Sequence, residues 1–266
     1  TFFKTYGNNS TPPSIFFAPG RVNLIGEHTD YNNGYVLPCA LSFGTYLAIR
    51  KIKEPQIKLT STNFDYTASI PLNDPIIAKG DEWVNYPLGV IKMLQDAGYK
   101  PDEGIELLFS GDIPNSAGLS SSASIELATA VALNEIFSFK IDRIELIQLS
   151  KKAENDFVGV NCGIMDQFVV GKARKKSAIF LNCGTMNYTH VPFVLNDYRL
   201  IIANTNKVRK LSDSKYNERV KECEEAVEAL RKHGHVGSLG EISIETFNEH
   251  KNIIKDEIIR KRCEKM

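Results

Sequence analysis

Residues 18–31 place Arg21, Glu27, His28 and Asp30 close together in a segment punctuated by Gly20 and Gly26. That mixture leaves little room for a long helix or strand. It supplies a cation for an anionic group, and carboxylates and an imidazole that can hold hydroxyls or accept a proton. A second unusual run, Pro114-Asn115-Ser116-Ala117-Gly118-Leu119-Ser120-Ser121-Ser122-Ala123-Ser124, leads into the helical pattern that begins Ile125-Glu126-Leu127. Together the two runs point to phosphate chemistry on a polyol.

Phosphoryl transfer needs a protein chiefly to position the donor and neutralise charge. Backbone amides at a helix N-terminus suit that task, Gly118 lets the main chain approach an anion, and the serines add hydroxyl donors. Taken alone, the same run reads equally as a flexible linker or a helix cap. The fingerprints G-x-x-x-x-G-K-[ST] and G-x-G-x-x-G after a strand are both absent, so a nucleotide bound here requires another fold. Mg²⁺ needs a few hard oxygen ligands besides phosphate and water, and Glu154 is a candidate. Asp166 follows the apolar pair Ile164-Met165, an odd place for an unpaired charge. A carboxylate held near Arg21 would stay ionised and could accept a hydroxyl proton. Singly, each of these acids reads as a surface or capping group, and His28 as a structural histidine.

The positioning elements follow from periodicity. Residues 36–53 and 56–70 read as strands of a half-covered antiparallel sheet, with another at 105–110. Residues 83–95 have helical spacing closed by Gly98, and 141–156 carry a broad apolar stripe with Asp142 placed as the cap. Strand-like segments return at Ser177–Asn182, 188–194 and 198–204, before a strongly helical stretch at 214–232. A domain boundary is expected near Asn196. That gives an N-terminal domain over 1–195 and the start of a second, incomplete one over 196–266.

With 32 basic and 32 acidic side chains, no long-range field exists to gather nucleic acid or anionic lipid. No apolar run approaches the roughly 18 residues of a membrane span. Neither nucleic acid nor membrane is an expected partner. Cys39, Cys162, Cys183, Cys223 and Cys263 lack zinc or disulfide spacing, which predicts reduced thiols and a cytoplasmic protein. Thr1-Phe2-Phe3-Lys4 shows no initiator Met or export pattern, and the last ten residues form a charged, helix-favouring stretch without a stop signal. Both ends look cut.

The segment Gly20-Arg21-Val22-Asn23-Leu24-Ile25-Gly26-Glu27-His28-Thr29-Asp30-Tyr31-Asn32-Asn33-Gly34 closely resembles the sugar signature of galactokinases. Residues 118–124 resemble the phosphate loop of the wider GHMP kinase superfamily. Trp83-Val84-Asn85-Tyr86, Cys162-Gly163-Ile164-Met165-Asp166-Gln167 and Ser214-Lys215-Tyr216-Asn217-Glu218-Arg219 are also similar to galactokinase segments. The resemblance implies an α+β GHMP kinase fold of two lobes with the active site in the cleft between them. It implies Mg-ATP-dependent phosphorylation of the anomeric hydroxyl of α-D-galactose to galactose 1-phosphate, at the entrance to galactose catabolism, by a monomer. By motif match Asp166 is the catalytic carboxylate and Arg21 its partner, with Glu27, His28, Asp30, Gly163 and Tyr216 around the sugar. Ser116, Gly118, Leu119, Ser120, Ser121, Ser122, Ala123 and Ser124 would hold ATP, with Trp83 bordering the purine. Ser122 and Glu154 would hold Mg²⁺.

Two departures stand out. Asn33 occupies a turn position where the signature has glycine, and Asn tolerates left-handed geometry there. The third, glycine-rich motif of the family is missing, which predicts a truncated second lobe. Two rival readings are a kinase for N-acetylgalactosamine or another monosaccharide, and a silent galactose and ATP sensor. Relative turnover on the two sugars discriminates the first. The intact serine loop and Asp166 count against the second.

Overall fold

The computed structural model describes residues 1–8, 11–114, 117–204, 215–232 and 237–264. In chain order its elements are α1 (Phe2–Tyr6), β1 (Ser14–Asn23), β2 (Tyr35–Val36), β3 (Pro38–Ile52), β4 (Gln56–Ser61), β5 (Ala68–Pro71), α2 (Asn85–Asp96), β6 (Gly104–Gly111), α3 (Ser121–Ile136), α4 (Arg143–Lys152), α5 (Met165–Lys172), β7 (Ser177–Asn182), β8 (Tyr188–Pro192), α6 (Lys215–Arg231), α7 (Ile244–His250) and α8 (Glu257–Cys263). A π-helical turn, Ala153–Val158, follows α4. The chain packs into two units: residues 1–21, 41–159 and 166–172 form the first, and 22–40, 160–165 and 173–266 the second.

In the first unit β3 pairs antiparallel with β6, β6 parallel with β4, and β4 antiparallel with β5. β1 lies along β3. Along β3, Leu47 and Ile49 are buried and the intervening Tyr46 is exposed, the period of two that a sheet with one covered face demands. Ile57, Leu59, Ile105 and Leu107 from the strands share the core with Leu88, Ile91, Leu94, Leu127 and Leu133 from α2 and α3. Each such side chain contributes about 1.5–3 kcal/mol of burial. Gly89 lets α2 approach the π-helical turn, since a Cβ there would sit 3.2 Å from Ala153 and 3.1 Å from Phe157.

In the second unit β7 pairs antiparallel with β2 and β8, and Cys39 of β3 faces Ala178 of β7. Its helical part closes around Cys223, Ala226, Val227 and Leu230 of α6 with Ile259 and Cys263 of α8, against which Tyr31 and Phe247 pack.

Several expected features are present and several are corrected. Gly98 ends α2 with φ 94, and Tyr99 N–H donates to Leu94 C=O at 2.9 Å across that turn. Asp142 caps α4, accepting from Ile144 N–H at 2.7 Å. The helix expected over 141–156 is α-helical only to Lys152, after which the π-helical turn takes over. Residues 56–70 form two strands instead of one, and β4 runs parallel to β6, so the sheet is mixed. Residues 198–204 form no strand. Among the described residues no strand pairs with this segment, and Tyr198 and Ile201 are 78% and 86% exposed. The helix expected over 214–232 spans Lys215–Arg231, and Ser214 lies outside the described residues, as do the last two of the charged C-terminal stretch. Asn196 lies within the second unit, and no single cut in the sequence separates the two. Among the described residues none of the five cysteines is in a disulfide. Among the described residues no helix is long and apolar enough to cross a membrane.

Candidate active site

β1 carries Arg21 to the start of α3, although 97 residues separate it from Gly118. Three bonds tie strand and loop together: Arg21 N–H to Leu119 C=O at 3.1 Å, Arg21 Nη1 to Gly118 C=O at 2.6 Å, and Ser124 Oγ to Ala18 C=O at 2.7 Å. Gly20 permits the approach, because a Cβ there would meet the Leu119 carbonyl oxygen at 3.0 Å. Gly118 and Ser120 both take left-handed backbone, φ 71 and 60, and so swing the chain into the helix.

Asp166, in the first turn of α5, receives the guanidinium in two bonds, from Nε at 2.8 Å to Oδ1 and from Nη2 at 2.7 Å to Oδ2. Such a fork is the strong, geometrically selective form of an arginine–carboxylate pair. Ser120 Oγ donates to the same Oδ2 at 2.5 Å. Ser120 sits at the cap position of α3 but spends its hydroxyl on Asp166, so no side chain caps the first turn. That leaves the helix N-terminus with its positive dipole end and amide donors beside Asp166 and Arg21. Ser121 and Ser122 are half-buried there, whereas Ala123 and Ser124 are buried. Ser116 lies outside the described residues.

Glu154 projects from the π-helical turn, a local widening often found at functional sites. It is 4% exposed and accepts from Gln167 Nε2 at 2.5 Å. The same Nε2 donates to Glu126 of α3 at 3.0 Å. Burial, reinforced by the charges of Glu154 and Asp166, pushes the Glu126 carboxyl well above the usual range against the opposing bond from Gln167. Glu126 Oε1 is buried without a hydrogen-bond partner. Sequence reading missed Glu126 and Gln167; a charge flanked by Ile125 and Leu127 on an apolar helix was the available signal. The Glu154 carboxylate and the Ser122 hydroxyl are hard-oxygen donors of the kind Mg²⁺ takes. No cluster of three or more metal-ligating side chains occurs among the described residues, so phosphate and water would complete the coordination.

Trp83 is buried. Its indole N–H donates to Tyr66 C=O at 2.8 Å, and its ring lies between Phe64 and Phe109. It is a core residue of the first unit.

The other expected residues belong to the second unit. Gly26, at φ 100, bends the chain against Tyr35, and Thr29 Oγ1 closes the loop on the carbonyls of Gly26 and Tyr35 at 2.8 and 2.7 Å. Asp30 is buried, and Gly163 lies so close that any Cβ would overlap its carboxylate. Asn33 adopts the left-handed conformation, φ 59, that its glycine-like position requires. Glu27 is exposed and accepts from Asn23 Nδ2 at 3.0 Å. His28, also at positive φ, packs against Tyr31 and Tyr216, each with its ring centroid 5.8 Å away. Burial lowers its pKa, with Arg219 and Arg262 adding to that and Glu27 opposing it.

A serine loop opens a helix beside an arginine–aspartate pair on a mixed α+β scaffold, the arrangement expected of a GHMP kinase. The model described as GHMP kinases N terminal domain matches residues 85–172, and that described as Galactokinase galactose-binding signature matches residues 1–51. Galactokinases of Clostridium tetani and Fusobacterium nucleatum are each 52% identical over 98% of this chain. The crystal structure of Lactococcus lactis galactokinase complexed with galactose superposes with a TM-score of 0.94 at 45% identity over 99% of the chain. The chain belongs to the galactokinase family. It spans 66% of the C. tetani relative and 68% of the F. nucleatum and L. lactis proteins. Methanococcus jannaschii mevalonate kinase, at 19% identity and a TM-score of 0.62, shares the fold.

Proposed function

We propose that the protein transfers the γ-phosphoryl group of ATP to the anomeric hydroxyl of α-D-galactose, yielding galactose 1-phosphate and ADP. The observation that carries this reading is the fork of Arg21 on Asp166, with Ser120 on the same carboxylate at an uncapped helix N-terminus. A carboxylate so held has one geometry, as a group orienting a hydroxyl for attack must. In the transfer the anomeric oxygen bonds to the γ-phosphorus, the bond from that phosphorus to the β,γ-bridging oxygen breaks, and the hydroxyl proton passes to Asp166. Arg21 offsets charge on the migrating group, which carries most of the charge in a loose transition state.

The amides of residues 118–123 and the hydroxyls of Ser121 and Ser122 bind phosphate oxygens, with Ser116 as a further donor; Ser124 keeps the loop on β1. Ser122 and Glu154 would hold Mg²⁺, with Gln167 and Glu126 behind Glu154. When bound, the ion neutralises phosphate charge and orients the leaving diphosphate. Glu27, His28, Asp30, Gly163 and Tyr216 select the sugar. Family membership and the galactose carried by the L. lactis relative support that role. A site built to bond hydroxyls strongly rejects a sugar that leaves its buried groups unpaired.

Initial rates of ADP release with galactose, N-acetylgalactosamine and glucose test this reading. Release with galactose alone, requiring Mg²⁺, is expected. Faster turnover of N-acetylgalactosamine would reassign the acceptor.

A further inference from the structure

Both ring nitrogens of His28 are engaged. Nε2 lies 2.7 Å from Arg219 Nη1 of α6, and Nδ1 lies 3.0 Å from Tyr31 Oη. A guanidinium can only donate, so Nε2 must offer a lone pair, and the ring is neutral with its proton on Nδ1, directed at Tyr31 Oη. Tyr31 can turn its hydroxyl to give or take a bond, whereas Arg219 cannot. The arginine therefore dictates the tautomer. The His28, Tyr31 and Tyr216 rings contact one another in a cluster, the two tyrosine centroids 5.4 Å apart, and the His28 carbonyl accepts from Asn32 Nδ2 at 3.0 Å. His28 also holds an unfavourable left-handed backbone, φ 66, which must be supported by its surroundings. The charged and titratable groups acting on the ring are Arg219 and Tyr31, with Arg262 and Glu27 at longer range. Half-buried beside two cations and one carboxylate, it stays neutral to lower pH than an ordinary histidine.

We propose that Arg219 is a positioning residue for sugar recognition: by donating to Nε2 it holds His28 as the neutral Nδ1-protonated tautomer and keeps residues 27–30 shaped to receive a pyranose. The inference rests on the reading that this segment binds the sugar. Preorganisation of this kind acts on affinity, since a loop already in its bound shape loses less freedom on binding. Arg219 has no part in the phosphoryl step, so its loss should raise KM for galactose and leave KM for ATP and kcat nearly unchanged.

Long-range ¹H–¹⁵N spectra of the ¹⁵N-histidine chain, with the His28 signals identified by their loss in His28→Gln, report the tautomer directly. The wild type is expected to give the Nδ1–H pattern at neutral pH. Arg219→Met should lose that pattern, titrate at higher pH, and bind galactose about tenfold more weakly. Arg219→Lys retains a donor without an acceptor and should restore both properties in part, so a folding defect in the methionine variant would not hide the effect. Tyr31→Phe should keep the Nδ1–H pattern, because the arginine remains. A wild type that binds galactose beside an Arg219→Met variant of equal affinity and tautomer overturns the role of Arg219 alone. A wild type that binds no galactose overturns the functional reading, while the spectra still decide whether Arg219 sets the tautomer.

Discussion

At the scale of single residues, the candidate site was legible in part because its side chains are of types that rarely sit together without a reason. Arg21 and Asp166 meet in a two-bond fork, and both are mostly buried, with side-chain exposures of 14% and 23%. Asp166→Asn keeps the shape but removes the charged acceptor, so kcat should fall by about 10²–10⁴ while the far-UV spectrum is unchanged. A variant with near-native kcat would remove Asp166 from proton transfer. Glu126 was not legible, because only the packing shows that a carboxylate inside an apolar helix faces another carboxylate through Gln167. Its raised pKa has a definite consequence for stability. In the unfolded chain the group ionises near pH ~4.3, whereas the buried carboxyl keeps its proton, so the native state binds more protons and stability falls as pH rises through that interval. Glu126→Gln removes the penalty. Its gain in melting temperature over wild type should be larger at pH 8 than at pH 5, and a gain independent of pH would contradict the buried-acid account.

At the scale of elements, capping and turn chemistry carried the reading and long-range pairing limited it. Asp142 and Gly98 mark their helix ends through local bonds that a sequence displays. Asp142→Ala should lower the urea midpoint at constant slope. The parallel pairing of β4 with β6, and the absence of a strand at 198–204, depend on which neighbour is free to bond, and alternation does not encode that. The junction of β1 with α3 was equally hidden, although it sets the site. Ser124→Ala leaves the buried Ala18 carbonyl without its donor, which should cost about 1–3 kcal/mol and loosen the serine loop, raising KM for ATP more than KM for galactose. An unchanged KM for ATP would show that the loop does not depend on this tie. Gly44 makes the companion point: a Cβ there would run into the Ala18 carbonyl oxygen, so Gly44→Ala should push β1 off β3 and lower the melting temperature sharply.

At the scale of the whole molecule, segments of the two packing units alternate along the chain, and Asn196 falls inside the second. The sequence does return from the second unit to the first at Asp166, three residues after Gly163, and leaves the first at Arg21, six residues before Glu27. The first passage thus runs from a residue proposed for the sugar to one proposed for phosphoryl transfer, and the second runs the other way. Family membership stands on 52% identity over nearly the whole chain and on a fold shared at a TM-score of 0.94. The central claim is chemical: Asp166 and Arg21 direct a phosphoryl group onto the anomeric oxygen of galactose. Its most direct test is transfer of ³²P from [γ-³²P]ATP to galactose, with the labelled position fixed by ³¹P–¹H correlation, for wild type and Asp166→Asn beside the full-length F. nucleatum relative. The account predicts label on the anomeric oxygen with wild type and almost none with the variant. Label on another hydroxyl, or equal transfer by both forms, would contradict it.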